Sequence, residues 1–328
     1  MKVFDISMFF NELDILKIRC HALADLVDFI VVVESTQTFA GHPKEPLLPL
    51  ASADICLEDR RAQLITITRT ENISSYDDLV NKLESCDLGD FSPPECYDLL
   101  EKITEFPITV RQKPHLYLDR FQREACRVYI SRLVSDEDIV FFSDADELPD
   151  NIPDLCTKYL SNTNDVYSLR QYQFVYFPNF YDREWYGTLM ANKNQILKNS
   201  LDYYRRKSGS ERINTRLFDG FHGYHLTNMG GVEMIKQKIS NWGHQEYNTS
   251  YILANLEKNI STGSDIFMRS HGSILKNVSL LDFYSPLYID AISNSSLNPN
   301  SNFRMIKANP LIRVLQRLVL KISSLLRF

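Results

Sequence analysis

The densest chemistry in the chain stands at Ile139-Val140-Phe141-Phe142-Ser143-Asp144-Ala145-Asp146-Glu147-Leu148-Pro149. An apolar run there gives way to three carboxylates, and Pro149 cannot extend a strand ladder. In open α/β sheets, ligands bind outside the carboxyl ends of the strands. Negative charge massed at such a place is costly unless a cation offsets it. Asp144 and Asp146 can both offer oxygen to one hard divalent ion, Mn²⁺ or Mg²⁺, which keeps open positions for phosphate oxygens. The spacing therefore points to a metal bridge to a nucleotide diphosphate. A solvated acidic turn is the plain alternative, and the buried-type strand ahead of the carboxylates argues against it.

A phosphatase of the haloacid-dehalogenase type also uses Asp-x-Asp at a strand end. It wants Thr or Val two residues after the second Asp, where this chain has Leu148. Neither GxxxxGK nor GxGxxG occurs, so P-loop and dinucleotide sites lack their phosphate cradles.

The elements that must position these carboxylates read as α/β. Val3 to Phe10 is a short apolar strand, and Asn11 to Val27 has helical spacing with Asn11 placed as a cap. Phe29 to Val33, Leu64 to Thr68 and Asp138 to Phe142 are strands without alternation, as expected of burial on both faces. Strands separated by helical stretches predict βαβ units and a Rossmann-like α/β fold class with a mostly parallel central sheet. A long segment, Thr70 to Asp136, holds the Ser92-Pro93-Pro94 break and a helix over Leu116 to Leu133. Asp165 to Phe180 is strand-like, Tyr203 to Lys207 a polar basic loop, Gly220 to Gly231 irregular, and Val232 to Trp242 a helix.

With 44% hydrophobic and 24% charged residues the chain is neither disordered nor a membrane bundle, and its net charge of -6 supplies no global field for nucleic acid. Six cysteines without a CxxC pair predict free thiols in a reducing compartment, not a zinc site or disulfide framework. No signal pattern opens the chain, and no apolar run is long enough to cross a bilayer. After the polar linker Asn294 to Asn302, Leu311 to Ile322 places Arg313, Arg317 and Lys321 four residues apart. Residues 301–328 are thus expected to form a basic amphipathic helix, able to lie on an anionic membrane or dock on protein. Residues 1–300 form the expected catalytic domain.

Met8-Phe9-Phe10-Asn11-Glu12-Leu13-Asp14 with Ile18-Arg19, then Val31-Val32-Val33-Glu34-Ser35 through Thr38, Gly41 and Pro43, resembles glycosyltransferase family 17. That family includes the β-1,4-mannosyl-glycoprotein β-1,4-N-acetylglucosaminyltransferase. Asp144-Ala145-Asp146-Glu147-Leu148-Pro149 is similar to its D-x-D-E-[IL]-P block, and Gly223-Tyr224-His225 to its G-W-H block, with Tyr224 for the usual Trp. His244 to Asn248 and Gly263 to Arg269 resemble bacterial-type members. The resemblance implies a GT-A fold, inversion at the anomeric carbon and a UDP-sugar donor, UDP-GlcNAc in characterised members.

Alongside that implication, His225 is a candidate third metal ligand or diphosphate contact, since neutral imidazole ligates metals readily. A hydrogen-bonded loop histidine is the alternative. Glu34 and Thr38 are candidates to read uracil or ribose, or else a turn cap. Arg123, with Arg120 and Arg127 on the predicted helix, could face the diphosphate or form a solvated face. For the base that deprotonates the acceptor hydroxyl, Glu246 is the first choice, with Asp182 and Glu184 as rivals. Trp185 and Tyr186 could stack on a sugar or plug a core.

The animal members carry a membrane anchor, whereas this chain starts at its first strand. It is therefore expected to be a cytoplasmic bacterial or viral member, peripheral on the inner face of a membrane through its tail. Its acceptor would be a glycan or lipid-linked saccharide. The rival readings are a metal-dependent phosphohydrolase using the same Asp pair and a non-catalytic glycan-binding scaffold.

Overall fold

The structure, a computed structural model, describes residues 1–55, 57–208, 211–267, 269 and 275–299. The expected amphipathic helix at 301–328 lies outside the described residues. Four strands form the first half of a central sheet: β1 (Val3–Phe9), β2 (Phe29–Ser35), β3 (Gln63–Arg69) and β4 (Ile139–Asp144). They pair in parallel in the order β3-β2-β1-β4. Ile30, Val31 and Val32 are fully buried, as their lack of alternation requires. The helix Leu13–Leu23 makes the β1–β2 crossover, burying Leu16, Cys20 and Leu23 in the sheet's core. Its Ile15, Ile18 and Ala22 pack instead in a cluster with Tyr288 and Ile292 of the helix Pro286–Ser293.

The long segment before β4 holds four helices: Tyr76–Glu84, Pro93–Thr104, Ile108–Gln112 and Pro114–Leu133. They share a core of their own around Leu79, Leu99, Ile103 and Phe121. Ser92-Pro93-Pro94 therefore starts a helix and is no break. Ser92 is its N-cap, the Ser92 N–H donates to Glu95 Oε2 at 2.7 Å, and the prolines occupy the first turn, where no N–H is needed.

The second half corrects the expectation of a mostly parallel sheet. β5 (Glu147–Pro149), β6 (Tyr167–Val175) and β7 (Phe180–Asn192) are followed by three two-residue strands, β8 (Lys207–Ser208), β9 (Glu211–Arg212) and β10 (Arg216–Leu217). β11 (Gly223–Thr227) and β12 (Lys276–Asn277) complete the set. The sheet continues β4-β7-β6-β11-β5, with β4–β7, β7–β6 and β11–β5 antiparallel and β6–β11 parallel. It is mixed. The cause is the short link from Tyr176 to Asn179, with Tyr176 at φ +70°, which turns the expected single strand Asp165–Phe180 into a hairpin too tight for a parallel crossover.

Three local expectations also change. The stretch Gly220–Gly231, expected to be irregular, contains β11. Tyr203–Lys207 is no loop, because the helix Leu201–Arg205 starts at Ser200, whose hydroxyl accepts from Tyr203 N–H at 3.0 Å. The helix Leu13–Leu23 is capped at Glu12, not Asn11, and the Glu12 carboxylate accepts from the Phe10 and Asn11 N–H groups at 3.2 and 3.1 Å.

One buried arginine fixes the loop after β4. Arg19 donates to Asp5 Oδ2 at 2.7 Å and Oδ1 at 2.6 Å, to Ser143 Oγ at 2.7 Å, and to the carbonyls of Ala145 and Glu147 at 3.2 and 3.0 Å. A fully buried guanidinium needs this many acceptors to offset its desolvation. The acidic loop is thereby bolted to the first helix and the first strand.

Candidate active site

A cavity of about 780 Å³ opens at the carboxyl ends of β1, β2 and β4 and runs beneath β6, β7 and β11. Asp144 ends β4 on its wall. Arg123, from the helix Pro114–Leu133, lies 3.3 Å from Asp144 Oδ1, and Arg205 lies 2.9 Å from Oδ2. Arg205 also grips the fully buried Glu147 through both nitrogens, at 2.8 and 2.9 Å. Burial pushes the Glu147 carboxyl up, and Arg205 overrides it, holding it well below the usual range. Gly187 is required for this arrangement: a Cβ there would come within 2.7 Å of the Glu147 carboxyl carbon.

Trp185 donates its Nε1–H to Glu147 Oε1 at 2.7 Å and is flanked by His225, 4.5 Å between ring centroids, and by the Lys207 ammonium, 3.3 Å from the ring centre. It is therefore part of the cavity's framework. Lys207 is exposed to the cavity, and desolvation there, with the charge of Arg212, pushes its ammonium down to about 7. Arg212 is itself pushed down to about 9 by burial and by Arg205. Arg123 is nearly fully buried, yet its Nε and Nη1 have no hydrogen-bond partner, and Asp119 and Asp144 outweigh burial to keep it charged.

Asp146 begins a hydrogen-bonded chain. Its Oδ2 accepts from Lys238 Nζ at 3.1 Å, and its Oδ1 lies 3.5 Å from His225 Nε2. Burial raises the Asp146 carboxyl, and Lys238 and His225 outweigh this to hold it well below the usual range. His225 Nδ1 meets Gln173 Oε1 at 3.1 Å, while Gln173 Nε2 donates to Asp182 Oδ2 at 2.7 Å. An ionised Asp182 can only accept, which fixes the Gln173 amide and makes His225 Nδ1 a donor. The other nitrogen, Nε2, is left facing Asp146, either carrying a second proton or presenting a lone pair to a shared cation. Asp182 Oδ1 is buried without a partner.

Arg123, Asp144, Asp146, Asp182 and His225 are thus brought together on one wall system. Glu34, Thr38, Arg127, Glu184 and Glu246 are not in its lining. Glu34 is fully buried and accepts from the Leu47 and Leu48 N–H groups at 2.9 and 2.8 Å and from Lys44, tying down the start of the helix Leu48–Asp54. Thr38 Oγ1 accepts from His42 N–H at 3.1 Å within a turn. Glu184 pairs with Arg170 and accepts from Tyr186 OH at 2.9 Å. Glu246 is exposed and bound to His244 Nδ1 at 2.9 Å. Arg120 lines the cavity paired with Asp202 at 2.6 Å, and Arg127 turns away to Asp98 and two carbonyls.

Arg205, Lys207, Arg212, Lys238 and Gln173 were not anticipated. Only the basic run Tyr203–Lys207 hinted at them. At the far end, Trp242, Tyr247 and Phe267 form an aromatic shelf, with Trp242 and Phe267 stacked at 5.0 Å.

Among the described residues no group of three or more His, Cys, Asp or Glu side chains is placed to hold a metal ion. Asp144, Asp146 and the fixed His225 nevertheless offer hard oxygen and one imidazole nitrogen of matching chemistry, with room beside them for phosphate oxygens. Asp144 is held by Arg123 and Arg205 and Asp146 by Lys238, so an ion bound here would have to replace these cations at both carboxylates. Among the described residues no helix is long and apolar enough to cross a membrane.

Residues 1–70 match the family model of glycosyltransferase family 17. No curated protein matches the chain. Among solved structures, the apo form of mouse xyloside xylosyltransferase 1 is 9% identical, covering 61% of this chain and 69% of its own at a TM-score of 0.28. Mannose-6-phosphate isomerase from Helicobacter pylori is 11% identical, covering 81% and 82% at a TM-score of 0.27. At these scores neither likeness bears on fold or activity. The matched segment spans β1, the Glu12 cap, Arg19, β2 and β3, the framework that carries the acidic loop. Over these first 70 residues the chain is similar to glycosyltransferase family 17.

Proposed function

We propose that the protein transfers a sugar, N-acetylglucosamine, from UDP-GlcNAc to a hydroxyl of a saccharide acceptor, with inversion and with a divalent metal. The observation that carries this reading is the chain Asp146–His225–Gln173–Asp182. It joins the carboxylates suited to a metal-bound diphosphate to a carboxylate suited to a base, within one cavity.

Asp144, Asp146 and His225 would hold Mn²⁺ or Mg²⁺, which when bound offsets charge on the diphosphate. Arg123, with two unpartnered donors, and Lys207 and Arg212 take the remaining phosphate charge. Asp182 Oδ1 accepts the acceptor's hydroxyl proton as that oxygen bonds to the anomeric carbon and the bond from that carbon to the diphosphate breaks, releasing UDP. Gln173 holds the other Asp182 oxygen, so the carboxylate presents one free atom. The aromatic shelf of Trp242, Tyr247 and Phe267 offers apolar faces to an acceptor sugar. Asp182 displaces Glu246 as the proposed base because Glu246 lies in solvent, bound to His244. A cytoplasmic, membrane-peripheral location belongs to the same proposal, through the basic tail.

Calorimetric titration of UDP-GlcNAc, UDP-glucose and UDP-galactose, with Mn²⁺ and with EDTA, tests the donor. Metal-dependent binding that favours UDP-GlcNAc and disappears in Asp146→Ala is expected. Absence of binding by any UDP-sugar to folded, metal-loaded protein overturns the reading.

A further inference from the structure

A second cavity, of about 640 Å³, lies behind the first. The two share Glu12, Tyr176, Asn228 and Lys238 as common walls. Lys238 is the decisive partition: its ammonium donates to Asp146 at 3.1 Å and faces Glu12 at 3.8 Å. Anything filling the second cavity is therefore one side chain away from the proposed metal ligands.

The lining differs in kind. The first cavity is ringed by arginines and carboxylates, whereas Leu13, Phe177, Met229, Met234, Ile260 and Leu297 give the second a larger apolar share, with Asp14, Lys17 and Glu257 also in its lining. Met229 and Ile260 are among the buried core, and two methionines give a wall that can reshape around an irregular apolar body. Open space also lies above Gly231, where an added Cβ would touch nothing within 4 Å. Pockets of this size and composition take largely apolar ligands oriented by a few polar groups, here Glu12, Asn228 and Lys238 at the shared wall.

We infer that the second cavity holds the lipid chain of the acceptor, whose saccharide crosses the shared wall into the first cavity. This inference rests on the glycosyltransferase reading. A free nucleotide or sugar has no use for an apolar chamber. An alkyl or isoprenoid glycoside would place its chain against the methionines and its head near Asp182. The four residues common to both cavities place such a chain next to the reaction site.

The test compares octyl β-D-glucoside, kept below its micelle-forming concentration, with methyl β-D-glucoside. Binding to the full chain is measured by calorimetry with Mn²⁺ and UDP present. Variants Met234→Trp, which fills the chamber, and Leu13→Gln, which makes its wall polar, are titrated in parallel, each also with UDP-GlcNAc alone. The octyl compound is expected to bind at least about tenfold more tightly than the methyl one. Both variants should lose most of that difference while keeping UDP-GlcNAc affinity. Equal affinity for the two glucosides, or a preference undiminished in both variants, overturns the inference while intact UDP-GlcNAc binding leaves the donor reading standing. Failure of UDP-GlcNAc to bind the unmodified protein removes the donor reading, and the inference falls with it.

Discussion

Arg205 bridges Asp144 and Glu147 with one guanidinium, Nη2 lying 2.9 Å from Asp144 Oδ2 and 2.8 Å from Glu147 Oε1. Glu147 is fully buried, so removing its partner strands a charge away from water. Arg205→Met is expected to destabilise the protein by about 3–5 kcal/mol, read from urea unfolding. The double variant Arg205→Met with Glu147→Met should recover at least half of that loss. Additive losses would refute the pairing.

Asp182 is the one candidate base among the cavity's lining residues, and its buried Oδ1 has no hydrogen-bond partner. Asp182→Asn is expected to lower single-turnover transfer by about a hundredfold or more, with UDP-GlcNAc affinity unchanged, whereas Glu246→Gln and Glu184→Gln should stay within about twofold. A large loss in Glu246→Gln would return the role to that residue.

Glu124, a fully buried residue of the helix Pro114–Leu133, has its carboxyl pushed by burial from the ordinary 4.5 to about 7, although it accepts from the Leu201 and Asp202 N–H groups. Between those values the folded state keeps a proton that the unfolded chain has lost. Its contribution is therefore present in full below pH 4.5 and fades as pH rises towards about 7. A decline of up to about 3 kcal/mol across that window is expected, and Glu124→Gln should flatten it. Parallel pH profiles for both proteins would contradict this.

Lys207 faces the cavity with its ammonium pushed down to about 7, so at neutral pH much of it is free amine. Brief treatment with an amine-acylating reagent at pH 7 should label Lys207 ahead of the other lysines, which carry about a thousandth as much free amine. UDP-GlcNAc with Mn²⁺ should slow that labelling. Peptide mapping that finds Lys207 no faster than surface lysines would refute the shift.

The carboxylates of the site were legible because their signal is local: an apolar strand, a proline stop and two Asp between them. The parallel strands β1 to β4 were legible for the same reason, each being an unbroken run of buried residues. What surrounds Asp144 and Asp146 was not. Gln173 and His225 are 52 residues apart and meet only because β6 and β11 pair, and Arg205 reaches Asp144 across 61 residues. No periodicity encodes such meetings. Arg205, in a stretch that read as a loop, is folded inward because Asp144 and Glu147 supply partners from elsewhere in the chain. The mixed half of the sheet was hidden for a related reason. The turn at Tyr176 is announced only by Pro178 and Asn179, set inside a Tyr- and Phe-rich run whose strand signal outweighs them, so the hairpin reads as one strand.

The chain has two tryptophans, Trp185 and Trp242, and both stand in the wall of the same cavity. Indole emission from the folded protein therefore originates wholly at the candidate site. The molecule carries an optical probe there without any label, and Trp185, held between an imidazole and an ammonium, sits where a change in either neighbour's charge alters its brightness. Occupancy of the site can thus be followed in real time by stopped-flow fluorescence, with Trp185→Phe and Trp242→Phe dividing the signal between its two ends.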